Sequence, residues 1–163
     1  MEERLGYSRI APEAVEILRK LEHYVKGTGL EPDLIELVKI RASQLNGCAY
    51  CIDMHTKDAR TRGESEQRLY GVSTWREAPF YSERERAALA WAESVTEIGR
   101  DRVPDELYIE VSRHFSEKEL VDLTMAVIAI NGWNRLAISF RTLPGSYQPD
   151  HPVANKESLA EPV

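Results

Sequence analysis

Residues 33–63, DLIELVKIRASQLNGCAYCIDMHTKDARTRG, read as two helices meeting at a tight turn. Leu34, Leu37, Val38, Ile40 and Leu45 supply the buried side of a helix from Asp33 to about Gln44, with Asp33 placed to cap its start. Asn46-Gly47 breaks that pattern. A further helix begins at or near Cys48 and runs to about Arg62, with Gly63 just beyond its end. The beginning of this helix carries both cysteines of the 163-residue chain, and His55 follows one turn later.

Outward from this pair the helical period continues. Before it, Pro12 suits a first turn, and Ala14, Ile17, Leu18, Leu21 and Val25 recur at helical spacing until Gly27. After it, SEQRLYG reads as a short helix and STWREAPFY as a loop or single turn. Ser82 with Glu85, and Ser116 with Glu119, have the spacing of capping boxes that open two longer helices, with PDELYIEVSRHF between them. The second of these is apolar on most sides from Leu120 to Ile130, which suits a central helix or a subunit interface. No stretch alternates with the period of a strand. The expectation is an all-α fold: a compact bundle of six to eight helices forming a single domain over 1–143, with its core about 32–115. An extended, proline-rich C-terminal tail over 144–163 would either lie across a neighbouring subunit or be disordered.

Composition narrows the function. Hydrophobic residues at 42% and charged residues at 29% are ordinary for a soluble globular protein. A net charge of −6, with no run of Lys and Arg among aromatics, argues against a nucleic-acid partner. No stretch approaches the roughly 20 apolar residues of a membrane span. The charged start MEERLGYSRI does not read as a secretory signal, so a cytoplasmic location is expected. In that reducing setting a Cys-x-x-Cys pair is more often catalytic or metal-binding than structural.

On one helix, steps of three and four residues place Cys48, Cys51 and His55 within roughly 60° of one another around the axis. The unpaired N–H groups and positive dipole end of the first turn favour a thiolate, most of all at Cys48. Cys51 lies one turn deeper, where burial raises a thiol pKa, but His55 at i+4 can take its proton. An imidazole in that role needs a partner to fix its tautomer. Glu36 is the candidate, because it falls among Leu34, Leu37 and Ile40 rather than on a plainly solvated face. A structural disulfide would close too small a loop to stabilise much. A zinc ion held by Cys48, Cys51, His55 and Glu36 is chemically possible, although three ligands on successive turns of one helix is not the usual zinc arrangement. His23, His114 and His151 have no partner motif. Trp75, Trp91 and Trp133 read as core or interface anchors, Asn131 as a side chain satisfying a backbone group, and SERERA as a solvated helix face.

Glu36, Cys48, Cys51 and His55 resemble the active-site pattern of the alkylhydroperoxidase D-like branch of the carboxymuconolactone decarboxylase family. The resemblance is close over residues 36–64 and extends through 76–96 and 130–146, which is most of the chain. It implies an all-helical fold and homo-oligomeric assembly, commonly a trimer or hexamer. It also implies that Cys51 attacks a peroxide, Cys48 resolves the product as a Cys48–Cys51 disulfide, His55 and Glu36 relay protons through a water, and Tyr50 lines the pocket beside the pair. The substrate would be a small hydroperoxide. No bound cofactor is implied, and an external dithiol, lipoyl or thioredoxin-like, would restore the thiols. General disulfide exchange, redox sensing without turnover, and lactone decarboxylation are the competing functions.

Overall fold

The computed structural model describes residues 2–149. They fold as α1 (Tyr7–Ile10), α2 (Pro12–Lys26), α3 (Pro32–Asn46), α4 (Ala49–Thr61), α5 (Glu66–Gly71), a 3-10 turn (Val72–Thr74), α6 (Glu83–Thr96), α7 (Ile98–Asp101), α8 (Asp105–Ser112) and α9 (Glu117–Phe140). No strand occurs among the described residues. Of these nine helices, seven have six residues or more. The other two, α1 and α7, are single turns too short to leave a periodic signal.

The middle of the bundle is α3. Leu34 through Ile40, then Ala42 and Ser43, are all buried. Its neighbours are α4, α6 and α9. Toward α2, α6, α8 and α9 it packs Leu34 and Val38 against Val25, Trp91, Leu123 and Val127. Toward α5 and α6 it packs Leu37 and Ile40 against Leu69, Val72, Trp75 and Leu89. Each such aliphatic side chain contributes about 1.5–3 kcal/mol when fully buried. Helix α9 is both a core helix and a surface one: Leu120, Leu123, Ala126, Val127 and Ile130 are buried, whereas Val121 and Ile128 face outward.

Both capping boxes form, at Ser82–Glu85 and Ser116–Glu119. Asp33, however, does not cap α3. Pro32 occupies the first turn and the chain enters through Glu31, so Asp33 lies inside that turn, where its charge still suits the dipole. The SERERA segment is less solvated than its charges suggest. Arg84 reaches Glu31, Glu119 and the carbonyl of His114, and Arg86 reaches carbonyls of Arg76, Ala78 and Tyr81, so both tie α6 to its neighbours.

The described part of the C-terminal segment turns back over its own α4. Gly145 N–H donates to Asp53 Oδ2 (3.0 Å), and Lys57 Nζ donates to the carbonyls of Gly145 (3.3 Å) and Tyr147 (3.0 Å). The Tyr147 hydroxyl donates to Asp58 Oδ1 (2.8 Å). The rest of the expected tail, 150–163, lies outside the described residues, as does His151.

What folds α4 against α3 is the Asn46-Gly47 turn. Gly47 adopts φ 71°, ψ 32°, a left-handed conformation that costs a side-chain-bearing residue about 1–2 kcal/mol. Its N–H bonds the carbonyl of Gln44, and that of Cys48 bonds the carbonyl of Ser43 (2.9 Å). Gly47→Ala is expected to lower the melting temperature by about 3 °C, corresponding to about 1 kcal/mol. Gly47→Asn, better tolerated in this conformation, should lose less. An unchanged melt for the alanine variant would mean that the turn does not constrain the fold.

Candidate active site

Cys48 is the residue that enters α4, with extended backbone angles (φ −87°, ψ 92°), and Cys51 lies in the first turn of that helix. Both are buried and unbridged. They occupy a small apolar cluster with Ala42 of α3 and Ile130 and Ala137 of α9. Their sulfurs are 2.8 Å apart, one thiol donating to the other.

This contact divides the pair electrostatically. The Cys48 thiol is lowered to about 7, chiefly because the Cys51 S–H donates to its thiolate. Burial opposes this. The backbone N–H groups of Cys51 and Tyr50 and the Asn134 amide add to the lowering. Cys51 is pushed upward because its proton is held by Cys48 and because it is buried. Near neutral pH the pair therefore holds one proton and one negative charge, with the charge favoured on the sulfur at the helix entrance.

Glu36 and His55 meet directly. Glu36 Oε2 lies 2.8 Å from His55 Nδ1, and both side chains are buried, at 6% and 4% residue exposure. Burial works to raise the Glu36 carboxyl. The hydrogen bond and charge of His55, with the charges of Lys39 and Arg62, outweigh it and keep the group below the ordinary carboxylate value. A charged Glu36 takes the Nδ1–H tautomer of His55 and leaves Nε2 as the ring's exchangeable position. The nearer basic residues do not compete for Glu36, since Lys39 pairs with Glu22 of α2 and Arg41 with Glu93 of α6.

No direct hydrogen bond links His55 to either sulfur among the described residues. The helical geometry places imidazole and thiols on one side of α4, but Cys48 precedes the helix and the ring is turned toward α3. Nor do the four side chains gather as a zinc site. Among the described residues, the group whose ligand atoms come within 4.8 Å of one another is Glu36, His55 and Asp58, without the sulfurs.

A cavity of about 760 Å³ opens onto this arrangement. Cys51, but not Cys48, lies on its wall, with Tyr50, Met54 and His55 from α4, Glu36 and Lys39 from α3, Trp133 from α9, and Tyr147 from the returning C-terminal segment. Tyr50 is partly buried, and its hydroxyl pKa is raised by burial and by the nearby Tyr7. Trp75 and Trp91 are core residues, whereas Trp133 belongs to the cavity. His23 also reaches the wall, and His114 sits near Glu110.

Sequence reasoning passed over three residues here. Asp58 and Tyr147 form a hydrogen-bonded pair at the cavity, one of them contributed by a segment with no periodic signal. Asn134 is fully buried beside the sulfurs. Its position could have been found, because steps of four and three residues align Ile130, Asn134 and Ala137 on one helical face. Asn131 was the more conspicuous asparagine, and it does satisfy a backbone group, the carbonyl of Val127 (2.9 Å).

Residues 12–94 match the model of the carboxymuconolactone decarboxylase family. The chain is 49% identical over 139 residues to the uncharacterized protein YdfG of Bacillus subtilis, spanning 85% of this chain and 95% of YdfG. Among solved structures, it resembles a protein of unknown function from Agrobacterium tumefaciens proposed to be the antioxidant defence protein AhpD. The TM-score is 0.87 at 44% identity, covering 90% of this chain and all of that one (100%). The alkylhydroperoxidase AhpD core of an uncharacterized peroxidase-related protein from Ralstonia eutropha shares the fold, with a TM-score of 0.76 at 19% identity over 85% of this chain and 74% of that one.

The electrostatics of the pair can be titrated. Thiolate absorbance of the reduced protein is expected to rise in one step with a midpoint at about 7, with an amplitude of one thiolate per chain. Because the folded value lies below the ordinary thiol value of 9.0, this ionisation stabilises the reduced protein fully above about 9 and ceases to do so as pH falls through about 7. Two thiolates appearing together near 9 would show that the sulfurs do not share a proton.

Proposed function

The chain belongs to the alkylhydroperoxidase D-like branch of the carboxymuconolactone decarboxylase family, and we propose that it is a thiol-dependent hydroperoxide reductase. The observation that carries this reading is the placement of Cys51. It is a buried sulfur whose exposed edge lies on the wall of a cavity that also holds the Glu36–His55 pair. A small oxidant can enter that cavity, whereas a protein disulfide meets two sulfurs with at most 1% residue exposure. That contrast favours peroxide reduction over general disulfide exchange.

The reaction begins with the anionic pair. The proton between the sulfurs moves to Cys48, and the Cys51 thiolate attacks the outer oxygen of the hydroperoxide. The O–O bond breaks, Cys51 becomes a sulfenic acid, and the departing alkoxide takes a proton that His55 Nε2 has first drawn from solvent, directly or through a water. Glu36 holds the ring and balances its charge as the proton leaves and returns. Cys48 then loses its proton and attacks the Cys51 sulfur, giving a disulfide and releasing the hydroxyl group as water. The sum is hydroperoxide plus one thiol, one thiolate and a solvent proton giving alcohol, water and one disulfide. An external dithiol, lipoyl or thioredoxin-like, restores the thiols by exchange.

In this scheme the imidazole serves the leaving group, and the ionisation of Cys51 is handled by Cys48. Outward-facing Ile10, Ile17, Val121 and Ile128 on α1, α2 and α9 support assembly as a homo-oligomer.

Consumption of an organic hydroperoxide in the presence of a recycling dithiol is the test. Cys51→Ser should abolish steady-state turnover, and Cys48→Ser should give one burst that leaves a sulfenic acid. His55→Ala should slow turnover by about 10²–10⁴-fold. Turnover by Cys51→Ser equal to that of the parent would refute the assignment, and a single stoichiometric burst from the parent would mark a sensor instead. Lactone decarboxylation that survives loss of both cysteines would place the activity elsewhere.

A further inference from the structure

His55 is bonded to Glu36 and to neither sulfur, so beyond the S–H shared within the cysteine pair, the pair's negative charge must be held by other groups. The backbone N–H groups that open α4 are one source. The other is Asn134, which is completely buried on α9 between Ile130 and Ala137, two residues that pack against both sulfurs.

The orientation of this amide is dictated from a distance. The carbonyl of Val127 can only accept, so the Asn131 group bonded to it at 2.9 Å is the amide nitrogen, which also reaches Thr96 Oγ1 at 3.0 Å. The Asn131 oxygen must then face Asn46, and Asn46 must present its nitrogen to it at 2.9 Å. That same nitrogen meets Asn134 at 2.8 Å, so the group Asn134 presents there is its oxygen. The Asn134 nitrogen is consequently turned toward Ser43 Oγ, 3.0 Å away, on the residue whose carbonyl accepts the Cys48 N–H at 2.9 Å. Three asparagines thus carry the polarity of one backbone carbonyl to the redox pair.

We propose that Asn134 is a catalytic residue of the cysteine pair: its amide, oriented through Asn46 and Asn131, is a fixed neutral donor that holds the thiolate and raises the pair's reduction potential. The inference rests on the redox reading of the pair. A donor to a charged sulfur is stronger than one to a neutral acceptor, and a dry core strengthens it further. Reduction follows disulfide + 2 e⁻ + H⁺ → thiolate + thiol near neutral pH. The product carries the charge that the amide favours, and the disulfide does not. Asn134 therefore stabilises the reduced side and makes the oxidised pair easier for an external dithiol to reduce. Being uncharged, it does so without a buried cation that would need its own partner.

The test needs no peroxide. The thiolate midpoint and the equilibrium with a defined dithiol buffer are measured for the parent, Asn134→Ala and Asn46→Ala, with folding checked by circular dichroism. Asn134→Ala is expected to raise the midpoint, to slow alkylation at pH 7 about tenfold, and to shift the equilibrium about tenfold toward the disulfide. Asn46→Ala keeps the Asn134 side chain but releases its orientation, so it should move both quantities in the same direction by less. That variant decides the matter if Asn134→Ala fails to fold. A folded variant whose midpoint and equilibrium match the parent would overturn the proposal. Peroxide turnover is a separate measurement: its absence from the parent would sink the peroxidase reading and leave these shifts intact.

Discussion

The site depends on one backbone constraint, the two-residue connection of Gly47 and Cys48 between α3 and α4. Glu36 is on the helix before it, Cys51 and His55 are on the helix after it, and Cys48 is at the entrance between them. Only a left-handed residue at Gly47 lets the chain reverse so soon that an α3 carboxylate can touch an α4 imidazole. A longer loop would keep both helices but lose the register between them. The same short turn puts Asn46 where it can govern the α9 asparagines.

Within that frame, polar groups are buried in matched sets. Lys39 faces Glu22, Glu36 faces His55, and the buried Asp122 of α9 receives Tyr24 and Lys118. A buried charge with its partner removed costs several kcal/mol, so each set holds two helices in one relative position. Thiolate chemistry in such an interior calls for donors already aimed at the sulfur, since little water is present to reorient. The helix entrance supplies backbone donors.

Much of this was legible in the sequence, for definite reasons. Period and caps gave the long helices, because Ser82–Glu85 and Ser116–Glu119 act through local backbone geometry. The all-helical fold and family were legible because Glu36, Cys48, Cys51 and His55 have fixed spacings around one turn. The partners of particular side chains were not legible. His55 seemed free to serve Cys51 because i+4 spacing shows proximity along one helix but not the pull of a carboxylate from another. Arg84 and Arg86 looked solvated because their acceptors are carbonyls and carboxylates distant in the chain. Asn134 was hidden because its partners, Asn46 and Ser43 of α3, are 88 and 91 residues away in the chain.

The returning C-terminal segment has a consequence for the order in which the protein becomes competent during synthesis. Both sulfurs and the imidazole lie at or before residue 55, whereas Tyr147, which completes the cavity wall over α4, is added only after the whole of α9. A nascent chain that has formed the α3–α4 hairpin already owns both sulfurs and the imidazole but has no shaped chamber around them. The wall is complete only once α9 and Tyr147 have been added, so the sulfurs exist before the cavity that encloses them.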